Sequence, residues 1–113
     1  MITIGSLNAF GANTEEGLAR CMGNEALYLK LVGVMLADKN FDKLRSAIES
    51  GNLDEAFEAA HALKGALGNL ALTPLYKKAA SLTELLRNRA EADYGGLVSD
   101  LLTLRDKLSE LCA

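Results

Sequence analysis

From Tyr94 to the end of the chain, Tyr94, Leu97, Leu101, Leu104, Leu108 and Leu111 recur at alternating three- and four-residue steps, the signature of a helix with one apolar stripe. Leu75, Ala79, Leu82 and Leu86 repeat the pattern over 74–88, and Phe41, Leu44 and Ile48 over 41–50. The β-branched, alternating runs of strands are missing over most of the length, so the chain reads as all-α. Asn13 with Glu16 and Asn52 with Glu55 have the spacing at which a cap and its third-position partner satisfy the first N–H groups of a helix. Asn24 is a further cap, and Thr73 another, because Pro74 behind it suits a first helical position.

These signals predict helices near 14–21, 24–38, 41–50, 53–71, 74–88 and 92–111, in one domain spanning residues 1–113. Residues 1–12 are weakly specified, and Gly95 with Gly96 blurs the start of the last helix. Segment 24–38 stands apart, since Leu27, Tyr28, Leu29, Leu31, Val32, Val34, Met35 and Leu36 leave it apolar nearly all round. Burial deep in the bundle, under the N-terminal helix, is the ordinary reading of such a helix. The alternative is that its spare apolar edge docks a partner.

Within 53–71, Leu53, Ala56, Phe57, Ala60, Leu63, Leu67 and Leu70 share one face, read as the core stripe. Gly65 and Gly68 break the pattern, because each interior glycine costs a helix about 1 kcal/mol relative to alanine. At about 100° per residue, His61, Lys64, Gly65 and Gly68 fall in one arc of about 100° on the solvent flank of that stripe. Taken singly, each has a bland explanation: a solvated surface histidine, a surface charge, a close helix contact. Together they display an imidazole on a shelf without bulky neighbours, with an ammonium group in reach of an anion held there.

Composition narrows what that shelf can do. The chain has 113 residues, half of them hydrophobic, and 12 basic against 15 acidic side chains, for a net charge of −3. That balance disfavours nucleic acid as a partner. No basic-then-apolar leader and no long apolar run is present, which points to the cytoplasm and no membrane contact. Cys21 and Cys112 lack metal or redox spacing and are expected to be free, buried thiols. With a single histidine, no metal set of two histidines can be assembled. No Ser/His/Asp arrangement and no nucleotide-binding glycine loop is evident, so an enzyme with its own substrate pocket is not indicated. What remains is histidine as a nucleophile. A solvated imidazole, with an ordinary pKa of about 6.5, is largely neutral near pH 7 and can accept a phosphoryl group brought by a partner.

The stretch Ala60-His61-Ala62-Leu63-Lys64-Gly65-Ala66-Leu67-Gly68-Asn69-Leu70 resembles the His-x-Leu-Lys-Gly motif of histidine-containing phosphotransfer (HPt) domains. The likeness includes Gly68 and Asn69 at their places after the histidine and the downstream run Leu75, Ala79, Leu82, Leu86-Arg87. Upstream, Glu16-Gly17-Leu18-Ala19-Arg20 and Gly23-Asn24-Glu25 before Leu27-Tyr28 look like the opening helices of that family, so the resemblance spans about residues 13–110. It implies an antiparallel up-down-up-down four-helix bundle with short additional N-terminal helices. It also implies a phosphoryl carrier without kinase activity, passing the group to or from the aspartate of a response-regulator receiver domain or taking it from a sensor or hybrid histidine kinase.

By the same resemblance His61 is the phosphoacceptor, through Nε2, and Lys64 steadies the phosphoryl group. Gly65 and Gly68 leave room for the receiver, with Glu58, Leu27 and Leu31 in the partner contact. No cofactor of its own is implied, since the Mg²⁺ belongs to the receiver, and nothing asks for more than a monomer. Ala71 departs from the pattern, because many members carry glycine there. Two other roles compete: an HPt-like adaptor or inhibitor that is never phosphorylated, and the phosphoacceptor module of a larger sensor kinase.

Overall fold

The computed structural model describes residues 1–113 and is built from helices alone: α1 (Ile4–Phe10), α2 (Thr14–Arg20), α3 (Glu25–Leu36), α4 (Asn40–Glu49), α5 (Leu53–Asn69), α6 (Thr73–Arg87) and α7 (Tyr94–Leu111). Helices α4 to α7 form the bundle. Helix α5 packs against α4 and α6, and α7 closes the ring by touching both of those. The links Ser50–Asn52, Leu70–Leu72 and Asn88–Asp93 are short, which makes successive bundle helices antiparallel neighbours. Helix α1 lies against α7, and α2 bridges α1 to α3. One continuous core runs from Leu7 and Phe10 through Leu44, Leu63, Leu75 and Leu101 to Cys112, so the N-terminal helices and the bundle share their burial. Cys21 and Cys112 are free and buried, as the sequence suggests.

The capping signals of Asn13, Asn24 and Asn52 are realised. Their side-chain oxygens accept the backbone N–H of Glu16, Leu27 and Glu55 at 3.2, 3.0 and 3.1 Å. Thr73 differs from its reading as a cap. It lies inside α6, with Leu72 at the cap position, and its hydroxyl donates to the Ala71 carbonyl instead. Helix α7 begins two residues later than read, because Asp93 caps it by accepting the Gly96 N–H at 3.0 Å. The weakly specified N-terminus contains α1, started by a reciprocal pair in which the Thr3 and Ser6 side chains each accept the other's backbone N–H at 3.0 Å. So short a helix owes its stability to burying Leu7 and Phe10 rather than to its own propensity.

Helix ends are where sequence and structure part. The α5 segment was expected to reach residue 71 and stops at Asn69. Ala71 turns into the left-handed region at φ +54°, its N–H donating to the Gly68 carbonyl while the Leu72 N–H reaches that of Leu67. This is a Schellman closure, which usually places glycine at the left-handed residue. Met22 at φ +57° after α2 and Arg89 at φ +50° after α6 close their helices the same way. None of the three is glycine, so the usual stop signal is silent.

Helix α3 is not sunk in the bundle. It buries Tyr28, Val32 and Met35 and leaves Leu27, Leu31 and Val34 open to solvent, at 41%, 37% and 62% exposure. The Tyr28 hydroxyl donates to the Leu70 carbonyl at 2.8 Å and so ties α3 to the end of α5. Gly17 of α2 makes that possible: a Cβ there would lie 2.4 Å from the Tyr28 ring. No helix is long and apolar enough to cross a membrane.

Candidate functional site

His61 stands exposed in the middle of α5, on the flank of a helix whose opposite side buries Ala56, Ala59, Ala60, Leu63 and Leu67. Lys64, three residues on, is half-buried and takes part in no salt bridge, which leaves its ammonium free to pair with an anion brought to the shelf. Gly65 faces open space, with nothing within 4 Å of where a Cβ would stand.

Gly68 is different. A Cβ there would come 3.1 Å from the ring carbons of Tyr76, so the missing side chain also admits a close approach of α6. Both glycines line a polar cleft of about 510 Å³ together with Lys64, Tyr76 and the α2 residues Glu16 and Arg20. Arg20 donates to Glu16 at 3.1 Å across one turn of α2. The shelf beside His61 is therefore open at Gly65 and walled by α2 and α6 farther along.

Phe57, read from the sequence as part of the core stripe, lies at the edge of the core instead and belongs to the site. It is half-buried, and its ring stacks on the His61 imidazole with centroids 5.6 Å apart and planes 7° from parallel. The guanidinium of Arg87, from α6, sits 5.0 Å from the Phe57 ring centroid. Arg87 Nε in turn donates to Glu84 Oε2 at 2.9 Å. That hydrogen bond holds the Glu84 carboxyl below the usual carboxylate value, and the positive charges of Arg87, Lys64 and a protonated His61 add to the effect against some desolvation. Glu84 is thus within electrostatic reach of both site residues. The Phe57 contact was legible as an i, i+4 pair with His61, but the α6 contribution had no local signal.

The other expected partner residues are dispersed. Glu58 is exposed and turned toward α4, where Lys43 Nζ lies 4.0 Å from its Oε2. Leu27 and Leu31 stand on α3, away from the imidazole but on a connected surface. Leu31 lines a smaller cleft with Arg20, Asn69 and Leu70, and Arg20 and Asn69 also border the Lys64 cleft. No group of three or more His, Cys, Asp or Glu side chains is arranged to hold a metal ion.

The all-helical bundle thus displays its only imidazole in the open, beside an ammonium in no salt bridge, with open space at Gly65 and the Phe57 ring stacked on it. The family model of the Hpt domain matches residues 34–113. The chain belongs to the Hpt domain family, whose members are histidine phosphotransfer modules of two-component signalling. No match was found among curated proteins or among solved structures. The matched region holds the whole of α4 to α7, including His61 and Lys64, whereas α1, α2 and most of α3 precede it.

Proposed function

We propose that this protein is a phosphorelay intermediate in which His61 takes a phosphoryl group from, or gives it to, the aspartate of a receiver domain. The observation that carries the reading is the exposed His61 imidazole with Lys64 three residues on and open space over Gly65. A receiver docking over α5 brings its aspartyl phosphate into line with Nε2. The Nε2 lone pair forms the N–P bond as the P–O bond to the aspartyl carboxylate breaks, and the carboxylate leaves with the electron pair. The proton on Nδ1 is then free to pass to solvent. Lys64 places positive charge beside the equatorial oxygens, where a loose transition state spreads its negative charge. The Mg²⁺ of such a reaction belongs to the receiver, and this chain contributes the nucleophile, the ammonium and the landing surface.

The exposed row Leu27, Leu31 and Val34, spaced by four and three residues on α3, supplies an apolar edge for a transient interface. Met22, almost fully exposed in the turn before α3, lies near the start of that row in the chain. In this reading the protein acts as a monomer in the cytoplasm, with a sensor or hybrid kinase upstream.

The decisive experiment is transfer of radiolabelled phosphate from a panel of phosphorylated receiver domains, with His61→Gln alongside. Acid-labile, base-stable label on wild type and none on the variant is the expected result. Receivers that bind wild type and His61→Gln equally without labelling either would make the protein an adaptor and overturn the relay.

A further inference from the structure

The imidazole of His61 is exposed, yet it is held by a ladder of contacts that reaches into the next helix. Phe57 lies one turn before it with its ring parallel to the imidazole, within the 4.5–7 Å range over which aromatic pairs attract. Arg87 covers the Phe57 ring from α6, and Glu84 holds Arg87 through a 2.9 Å hydrogen bond. Phe57 is half-buried: part of its ring packs against the core, and the rest is left to the imidazole and the guanidinium.

We propose that Phe57, braced by Arg87 and Glu84, is a positioning residue for phosphoryl transfer: it fixes the plane of the His61 ring. The lone pair of Nε2 lies in that plane, so the plane sets the line along which phosphorus must approach. A free surface histidine samples several orientations about its side-chain bonds, and each transfer waits for the productive one. A stacked ring removes most of these orientations while leaving the nitrogen edge uncovered. The inference rests on the relay reading above and adds to it a device that the His-x-Leu-Lys-Gly stretch does not contain.

The test is single-turnover transfer from a phosphorylated receiver over a range of receiver concentrations, for wild type, Phe57→Leu, Phe57→Tyr and Arg87→Gln. With Phe57→Leu the rate at saturating receiver is expected to fall about tenfold, with the half-saturating concentration unchanged within about twofold. Phe57→Tyr keeps a stackable ring and is expected to stay within about twofold of wild type. Arg87→Gln, at an exposed position that folding tolerates, gives a smaller loss of about two- to threefold. Slow chemical labelling by phosphoramidate, which forms the same N–P bond as its own P–N bond breaks and ammonia leaves, is the companion measurement. A small donor approaches from any direction, so its rate is expected to be the same in all four proteins.

The carbon-bound imidazole protons provide a spectroscopic check. They belong to a ring stacked on Phe57, so their shifts change in Phe57→Leu as its ring current is lost. Wild-type rates in Phe57→Leu and Arg87→Gln overturn the proposal. So does a loss confined to the half-saturating concentration, which would make Phe57 a docking contact. Should Phe57→Leu fail to fold, the Arg87→Gln rate decides. Wild type that takes no label from any receiver overturns the relay reading itself, and that result is distinct from any ratio between wild type and variants.

Discussion

The Tyr28 hydroxyl donates a hydrogen bond to the Leu70 carbonyl at 2.8 Å, and this buried contact joins the helix that carries the apolar row to the end of the helix that carries His61. The two surfaces that the proposed receiver contact combines are thereby held in one frame. Burial raises the Tyr28 pKa above its ordinary value of about 10, and the nearby Cys21 adds to the rise. The neutral phenol is thus favoured in the folded state. Its contribution is complete below pH about 10 and is lost as pH rises beyond that, where an unfolded tyrosine ionises and the folded one does not. Tyr28→Phe is expected to cost about 1–2 kcal/mol near neutral pH through the unpaired Leu70 carbonyl, and to reduce the alkaline loss. Chemical denaturation of both proteins at neutral and alkaline pH measures each effect.

Lys64→Ala is expected to slow transfer about tenfold without abolishing it, because the nucleophile survives while one cation is removed from the charge that develops on phosphorus. Single-turnover labelling reads this directly. An unchanged rate would reduce Lys64 to a surface charge.

Gly65 and Gly68 separate cleanly by experiment. Gly65→Leu meets no neighbour at its Cβ, and replacing an interior helical glycine raises stability by up to about 1 kcal/mol. It is therefore expected to melt at or above the wild-type temperature while blocking transfer from a receiver. Gly68→Leu must displace the Tyr76 ring and is expected to lower the melting temperature as well as transfer. Calorimetry beside the labelling assay distinguishes the two.

Ala71 sits at φ +54°, where an L-residue with a Cβ is strained by about 1–2 kcal/mol and glycine is not. The greater freedom of glycine in the unfolded chain returns part of that gain. Ala71→Gly is expected to stabilise the protein by about 0.5–1 kcal/mol, a rise of about 2–6 °C in Tm, with transfer unaffected.

Leu31→Glu tests the landing surface. It places a charge in the exposed row of α3, at a position 37% exposed, so folding is expected to be unaffected. Receiver affinity is expected to fall about tenfold or more, and labelling by phosphoramidate to stay as in wild type. Equal receiver affinity would remove α3 from the interface.

Whatever depends on neighbours along the chain was readable before any fold was known. Apolar positions three and four apart defined the helices from α4 to α7, asparagines at cap spacing marked where α2, α3 and α5 begin, and the arc of His61, Lys64 and Gly65 stood out because glycine inside a helix opposes local preference. Contacts between helices had no such trace. Only the packed bundle shows the Phe57 ring covered by Arg87, which Glu84 holds, since both belong to a different helix. Only packing shows that Tyr76 occupies the space left by Gly68, and that the outer row of α3 stays uncovered. The turns at Met22, Ala71 and Arg89 escaped notice because the closing hydrogen bonds of each helix end hold a left-handed backbone that these residues do not choose on their own. Period and propensity are properties of a segment, whereas the environment of a side chain is a property of the whole packed molecule, and the chemistry of His61 draws on both.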